Sequence, residues 1–192
     1  PPARKAFSEA RDFPNRGSSP EGRRPGRMLS WRASGLEGIK RTDGVKINDY
    51  GMSFRSHVDG SKHLLTPKKS MEIQRVLGAD MIMAFDQPLS PRFSTKKNKE
   101  AILRTYKWEE ESYKHWDKNK RESISGKYQA LFGIIQGQED EKVRSEYLRF
   151  ILSMDFPGIA IGDETIGSDP KVTAKSLDTI VGKIPDNKPL HA

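Results

Sequence analysis

The 192-residue chain contains no cysteine. Disulfides and thiolate metal sites are therefore excluded, and a reducing compartment fits. Long apolar runs are missing too: none approaches the roughly 18 residues needed to cross a bilayer. No secretory signal is visible at the start of the chain. A cytoplasmic protein with no membrane partner is the resulting expectation. Histidine is scarce: His57, His63, His115 and His191 are scattered along the chain. His57 and His63 stand six apart, a poor spacing for a joint role, and both read as structural or surface residues.

Basic charge is plentiful. The formal net charge is +8, which favours an anionic partner, nucleic acid first. Residues 1–41 hold ten Lys and Arg against four Asp and Glu, a local charge of +6, so most of the excess sits there. Residues 1–33 form one basic segment: 1–30 show no helical or strand period and are punctuated by Pro14, Pro20, Pro25, Gly17, Gly22 and Gly26, and 28–39 fit a short turn or helix. The segment 1–33 reads as irregular and disordered, either an arm that touches RNA or a tail with no dedicated role.

From residue 34 onward the pattern is regular. Residues 45–49 and 52–57 read as two short strands joined near Tyr50-Gly51. Thr66-Pro67 opens a helix that Gly78 closes. A strand at 81–85 follows, then a long helix over about 95–118 with Ile102, Tyr106, Tyr113 and Trp116 along its apolar side. Its remaining surface, crowded with Lys and Glu, reads as solvated, and Trp108 as a ring packed at the edge of the apolar stripe. A strand at 130–135 leads to a helix that Asp140 caps, with Val143, Tyr147, Phe150, Ile151 and Met154 on its core side. A strand at 158–162, a helix at about 171–182 and the start of a strand at 190–192 complete the series. Strands alternating with helices of this length imply an α/β fold with a parallel sheet, either a barrel or a doubly wound sheet.

Three of these strands end on polar residues. Met-Ile-Met-Ala-Phe-Asp-Gln at 81–87 delivers Asp86, the next run ends on Gln136, and 158–162 ends on Asp163 and Glu164. Taken singly, Asp86 is as well explained by a turn or helix cap and Gln136 by strand-end capping. Together they mark the C-terminal strand ends, where parallel sheets gather ligands.

Longer stretches carry a resemblance. Phe-Arg-Ser-His-Val-Asp-Gly-Ser-Lys-His at 54–63, Leu-Thr-Pro-Lys-Lys-Ser-Met-Glu-Ile-Gln at 65–74, Leu-Gly-Ala-Asp-Met-Ile-Met-Ala-Phe-Asp at 77–86, Leu-Phe-Gly-Ile-Ile-Gln-Gly at 131–137 and Gly-Ile-Ala-Ile-Gly at 158–162 follow one another in the order found in tRNA-guanine transglycosylases. Over about residues 34–192 the chain resembles the bacterial branch of that family. The resemblance implies a (β/α)8 TIM barrel, here partial and incomplete at both ends. It also implies exchange of guanine for the 7-deazaguanine base preQ1 at the tRNA wobble position, in queuosine biosynthesis.

The implied partners are tRNA and a guanine or preQ1 base; whether the chain forms the family's homodimer is left open. Asp86 would accept the N1–H and exocyclic amine of the purine, Gln136 would bond its other polar edge, and backbone N–H groups after Gly162 would meet its carbonyl. The target nucleotide would be flipped out of the anticodon stack.

Departures from the family pattern accompany the matches. Asp163 stands where a second glycine is expected after Gly162, and Glu164 and Thr165 replace small or apolar residues. If a positive φ is needed at Asp163, the pocket is impaired; if only its N–H is used, a side chain is tolerated. The acidic Asp-Ser-Gly-Gly motif is absent before Phe54, and the nucleophilic Asp and the Cys/His zinc site would lie beyond Ala192. No catalytic residue, metal ligand or cofactor is thus expected within the chain, which would hold the base without exchanging it. A non-catalytic tRNA-binding paralogue or accessory subunit, and an incomplete gene product, are the rival expectations.

Overall fold

Residues 45–138, 140–163 and 170–191 are described by the computed structural model. The basic segment 1–33, the expected turn or helix at 28–39, and Glu164 and Thr165, lie outside them. None of the described helices is long and apolar enough to cross a membrane.

The first strands, β1 (Lys46–Asn48) and β2 (Gly51–Arg55), form the expected antiparallel hairpin. The sequence pattern places no strand between that hairpin and Thr66, yet β3 (Lys62–Leu65) pairs antiparallel with β2, Met52 opposite Leu65. Lys-His-Leu-Leu lacks the alternation that marks a half-buried strand, and three of its four residues are exposed. The edge pairing, rather than side-chain burial, makes it a strand.

Helix α1 (Pro67–Leu77) starts as its capping residues dictate. Thr66 accepts from the Lys69 amide, and Gly78 closes the helix at φ 73°. Next come β4 (Met81–Met83), α2 (Thr95–Lys118), β5 (Ala130–Ile135), α3 (Glu141–Ser153), β6 (Gly158–Ile161), α4 (Pro170–Asp178) and β7 (Leu190–His191). The expected helix at 171–182 is in fact α4 followed by a 3-10 turn at Val181–Lys183. Thr179 Oγ1 donates to the Ser176 carbonyl at the end of α4, and the Ile180 amide bonds back to Leu177, tightening the chain there.

The sheet β4-β5-β6-β7 is parallel throughout and runs in chain order. It is open, with β4 and β7 at its margins. Both polar groups of the Met83 backbone at the β4 margin are satisfied by one side chain of α1: Gln74 accepts from the Met83 amide and donates to its carbonyl, each at 2.9 Å.

The core lies between this sheet and helices α2 and α3. Leu131, Ile135, Tyr147, Ile151, Phe156 and Ile159 are closed to solvent. Tyr106 of α2 lies 4.5 Å from both Tyr147 and Phe150 of α3, ring to ring. Trp108 is not at the edge of the apolar stripe but fully inside. Its ring lies 4.7 Å from Phe85, and its indole N–H donates to the Asp49 carbonyl at 2.9 Å.

The solvated reading of the rest of α2 also needs correction. Thr105, Glu109 and Ser112 are buried and face the sheet, while Lys107, Glu110, Glu111 and Lys114 carry the water-facing charge. An i, i+4, i+7 spacing puts those three on one side of the helix whatever their polarity.

Candidate base-binding site

Strand β4 stops at Met83, and the chain then leaves the ladder. The Phe85 amide donates to Ser112 Oγ at 3.1 Å and the Gln87 amide to Thr105 Oγ1 at 3.0 Å. The two residues flanking Asp86 are therefore held by one helix face, and Asp86 itself is turned toward β5. On β5 the chain runs straight through its apolar residues into Gln136, which is closed to solvent.

The Gln136 side-chain amide nitrogen donates to Asp86 Oδ2. Its oxygen accepts a long bond, 3.4 Å, from the Leu89 amide. These two bonds fix which end of the amide faces the acid. Gly162 follows β6, with its amide bonded to the Ile135 carbonyl at 2.8 Å. A Cβ at Gly162 would lie 2.7 Å from both Gln136 Nε2 and Ile134 Cγ2. The glycine is thus required by close approach: it leaves the room in which Gln136 reaches Asp86.

Asp163, the next residue, has φ 101°, a backbone conformation that favours glycine, so its departure from the family's second glycine does put backbone strain at this edge of the pocket. Its carboxylate is drawn into the fold. Oδ2 accepts from the Gln138 amide at 2.6 Å and from Arg144 Nη2 at 3.0 Å, and that Arg144 nitrogen also donates to the Gln138 carbonyl. Acid, amide and glycine-led turn thus meet at the C-terminal ends of three adjacent strands.

Burial governs the charges here. Loss of hydration, then the nearby Asp163 charge, push the Asp86 carboxyl up to about 7, against the opposing bond from Gln136. Asp163 is pushed up to about 6 by burial, with the Gln138 amide and Arg144 pulling the other way. Burial lowers the Arg144 guanidinium from its ordinary value while Asp163 holds it up. Glu109 of α2 is raised well above the ordinary carboxyl value by burial, opposed by its bond from the Ile134 amide, with the Asp86 charge adding to the rise.

Several polar atoms here are closed to solvent and lack a hydrogen-bond partner among the described residues: Asp163 Oδ1, Arg144 Nη1, Gln138 Nε2 and Glu109 Oε2. Unsatisfied buried groups are costly, and their concentration beside Asp86 and Gln136 suits a place that receives a polar ligand.

Sequence reasoning singled out Asp86, Gln136, Gly162 and Asp163, and all four lie in this one cluster. It passed over Glu109, Thr105, Ser112 and Arg144. The helical spacing of the first three along α2 was the available signal. No group of three His, Asp or Glu side chains among the described residues could hold a metal ion, and the chain has no cysteine. The Cys/His zinc set implied by the resemblance is therefore not one that these residues fit.

The family model described as Queuine tRNA-ribosyltransferase matches residues 32–192. The chain belongs to the queuine tRNA-ribosyltransferase, or tRNA-guanine transglycosylase, family. It is 39% identical over 148 residues to a Queuine tRNA-ribosyltransferase of Thermoanaerobacter sp. (strain X514), a match that covers 76% of this chain and 37% of that relative. The proteins of the same name from Bacillus thuringiensis (strain Al Hakam) and Bacillus cereus (strain B4264) are 35% identical over 167 residues, 86% of this chain and 42% of each relative. The chain thus spans about two fifths of the length of the transglycosylases it matches. The residues of this chain that the family model matches include Asp86, Gln136 and Gly162.

Proposed function

We propose that this chain holds the purine-reading part of a tRNA-guanine transglycosylase, the enzyme that exchanges guanine for preQ1 in tRNA. The observation that carries the reading is the convergence of Asp86 and Gln136. A carboxylate offers about four lone-pair sites, so the bond from Gln136 leaves Asp86 able to accept two parallel N–H bonds. Guanine and its 7-deaza analogues present such a pair, N1–H and the exocyclic amine, on one edge. Gln136, already oriented by Leu89, is placed to meet the neighbouring polar edge. Membership of the family supports the same assignment.

The finer parts of the reading follow the family. The four parallel strands in chain order are what a segment of a (β/α)8 barrel supplies, whereas a doubly wound sheet reverses its order at a switch point. tRNA is the macromolecular partner, in keeping with the net charge of +8, and the setting is the cytoplasm. In the family's reaction an aspartate attacks C1′ of the target nucleotide. By the resemblance that residue falls outside these 192, so the chain by itself binds the base and does not exchange it.

Calorimetry with guanine, hypoxanthine and adenine tests the reading. Guanine should bind; hypoxanthine, which lacks the amine, and adenine, which lacks N1–H, should bind at least about tenfold more weakly, the cost of an unpaired buried acceptor. Equal affinity for all three, or binding that survives Asp86→Ala, would overturn it. Incorporation of labelled guanine into tRNA above a no-protein control would overturn the inference that the chain alone is inactive.

A further inference from the structure

The middle member of the buried polar face of α2 is an acid with no basic partner among the described residues. Glu109 is closed to solvent; its Oε1 accepts from the Ile134 amide at 2.9 Å, and its Oε2 has no hydrogen-bond partner among the described residues. Ile134 is the point on β5 where the ladder to β4 fails. The Ala84 amide still donates to the Phe132 carbonyl at 2.9 Å. In a regular parallel pair the Ile134 amide would donate back to residue 84. Here the chain has turned away toward α2, and Glu109 supplies the acceptor instead.

The neighbours of Glu109 on α2 do the same for the departing segment. Ser112 takes the Phe85 amide, and Thr105 takes the Gln87 amide and donates to the Gln87 carbonyl at 3.2 Å. Ile134 stands two residues before Gln136, on the same side of β5. One helix face therefore fixes both the strand that carries Gln136 and the loop that carries Asp86.

We propose that Glu109 is a positioning residue for the base-reading pair: it replaces a strand carbonyl at Ile134 and so sets Gln136 against Asp86. The proposal rests on the purine-reading assignment of those two residues. Burial favours the neutral form of Glu109. Among the described residues, the titratable groups that act on its charge are Asp86 from the loop after β4, Tyr106 of its own helix and Tyr147 of α3, none of them a cation. Arg144, the nearby buried cation, is engaged by Asp163. A neutral carboxylic acid accepts at one oxygen and donates at the other, the same pattern as a glutamine amide.

Glu109→Gln and Glu109→Ala in the full 192-residue chain test this, with guanine as the calorimetric probe. The side-chain amide signals of Gln136 in nitrogen–proton correlation spectra provide a readout that needs no base. Glu109→Gln should bind guanine as the parent does at neutral pH and leave the Gln136 signals in place. Glu109→Ala should bind about tenfold more weakly, the loss of one buried bond, and shift those signals. Over a pH series the Gln136 signals of both chains should move as Asp86 ionises at about 7, and those of the parent should show a further movement, absent from Glu109→Gln, as Glu109 ionises.

Unmoved Gln136 signals in a folded Glu109→Ala chain, or a Glu109→Gln chain as impaired as Glu109→Ala, would overturn the proposal. If Glu109→Ala does not fold, the pH series decides: a Glu109→Gln chain that keeps every movement of the parent's Gln136 signals, beyond the one due to Asp86, overturns it. A parent that binds no guanine, while the Gln136 signals respond as expected, refutes the purine reading and leaves the positioning role standing.

Discussion

Arg144 Nη2 lies 3.0 Å from Asp163 Oδ2, and both side chains are closed to solvent. The pair ties the turn after β6 to the first turns of α3, and it holds Asp163 at φ 101°. Removing one partner from a buried pair leaves a charge without compensation, at a cost of about 3–5 kcal/mol. Arg144→Met should therefore lower the denaturant midpoint sharply. Adding Asp163→Gly removes the stranded carboxylate and relieves the positive φ, so the double variant should recover much of the loss. A double variant no more stable than Arg144→Met would show that the pair is not coupled.

The protonation state of Asp86 should control base affinity. Only the ionised carboxylate can accept two N–H bonds at once. Its carboxyl is pushed up to about 7, so a large fraction is protonated in mildly acidic solution. Guanine affinity should rise as pH increases through about 7 and level off above it. Asp86→Asn, which presents one acceptor and one donor, should bind weakly and with no such rise. Calorimetry at a series of pH values checks this, and a flat profile in the parent chain contradicts it.

Gly162→Ala offers a test by crowding. Its Cβ would lie 2.7 Å from the Gln136 amide nitrogen, and Ile134 Cγ2 at the same distance blocks the other way out. Gln136 must then withdraw from Asp86 or β6 must shift. Overpacking of this kind costs about 1–3 kcal/mol. Guanine affinity should fall together with thermal stability. An alanine variant that retains both would show that Gln136 has room the structure does not reveal.

Much of this architecture is legible in the residues. The run at 130–135 is apolar throughout and becomes β5 with those bounds, because a strand covered on both faces needs no alternation. Thr66, Asp140 and Gly78 take the helix ends their side chains or backbone freedom suit. The cluster of Asp86, Gln136 and Asp163 is legible as polar residues closing apolar runs. What stayed hidden was polar burial. Glu109 and Arg144 look like surface residues in a pattern built on hydrophobicity, and their burial depends on partners far along the chain: Ile134 for one, Asp163 for the other. The periodicity of a helix shows which residues share a face, but a polar residue on that face reads as solvated until its acceptor or donor is placed. Strand β3 was missed for a related reason, since its pairing with β2 does not depend on its side chains.

The raised carboxyls also set the sign of the pH dependence of stability. Asp163 and Asp86 move from an ordinary 3.8 to about 6 and about 7 on folding, and Glu109 moves well above its ordinary value. Below about pH 4 these groups are protonated in both states and oppose folding least. As pH rises, the unfolded chain releases these protons while the folded chain keeps them, so the unfolded state binds fewer and stability declines. The Asp86 contribution is lost between about 4 and about 7. A chain carrying +8 gains further repulsion in acid, which works in the opposite direction and obscures the trend in the parent alone. The difference between parent and Asp86→Asn removes that shared background. Asparagine cannot ionise, so Asp86→Asn should gain stability relative to the parent as pH goes from about 5 to about 8. Urea midpoints at those two values measure the difference. A gap between the two chains that does not change with pH would mean that Asp86 titrates normally and that its carboxyl is better hydrated than the fold implies.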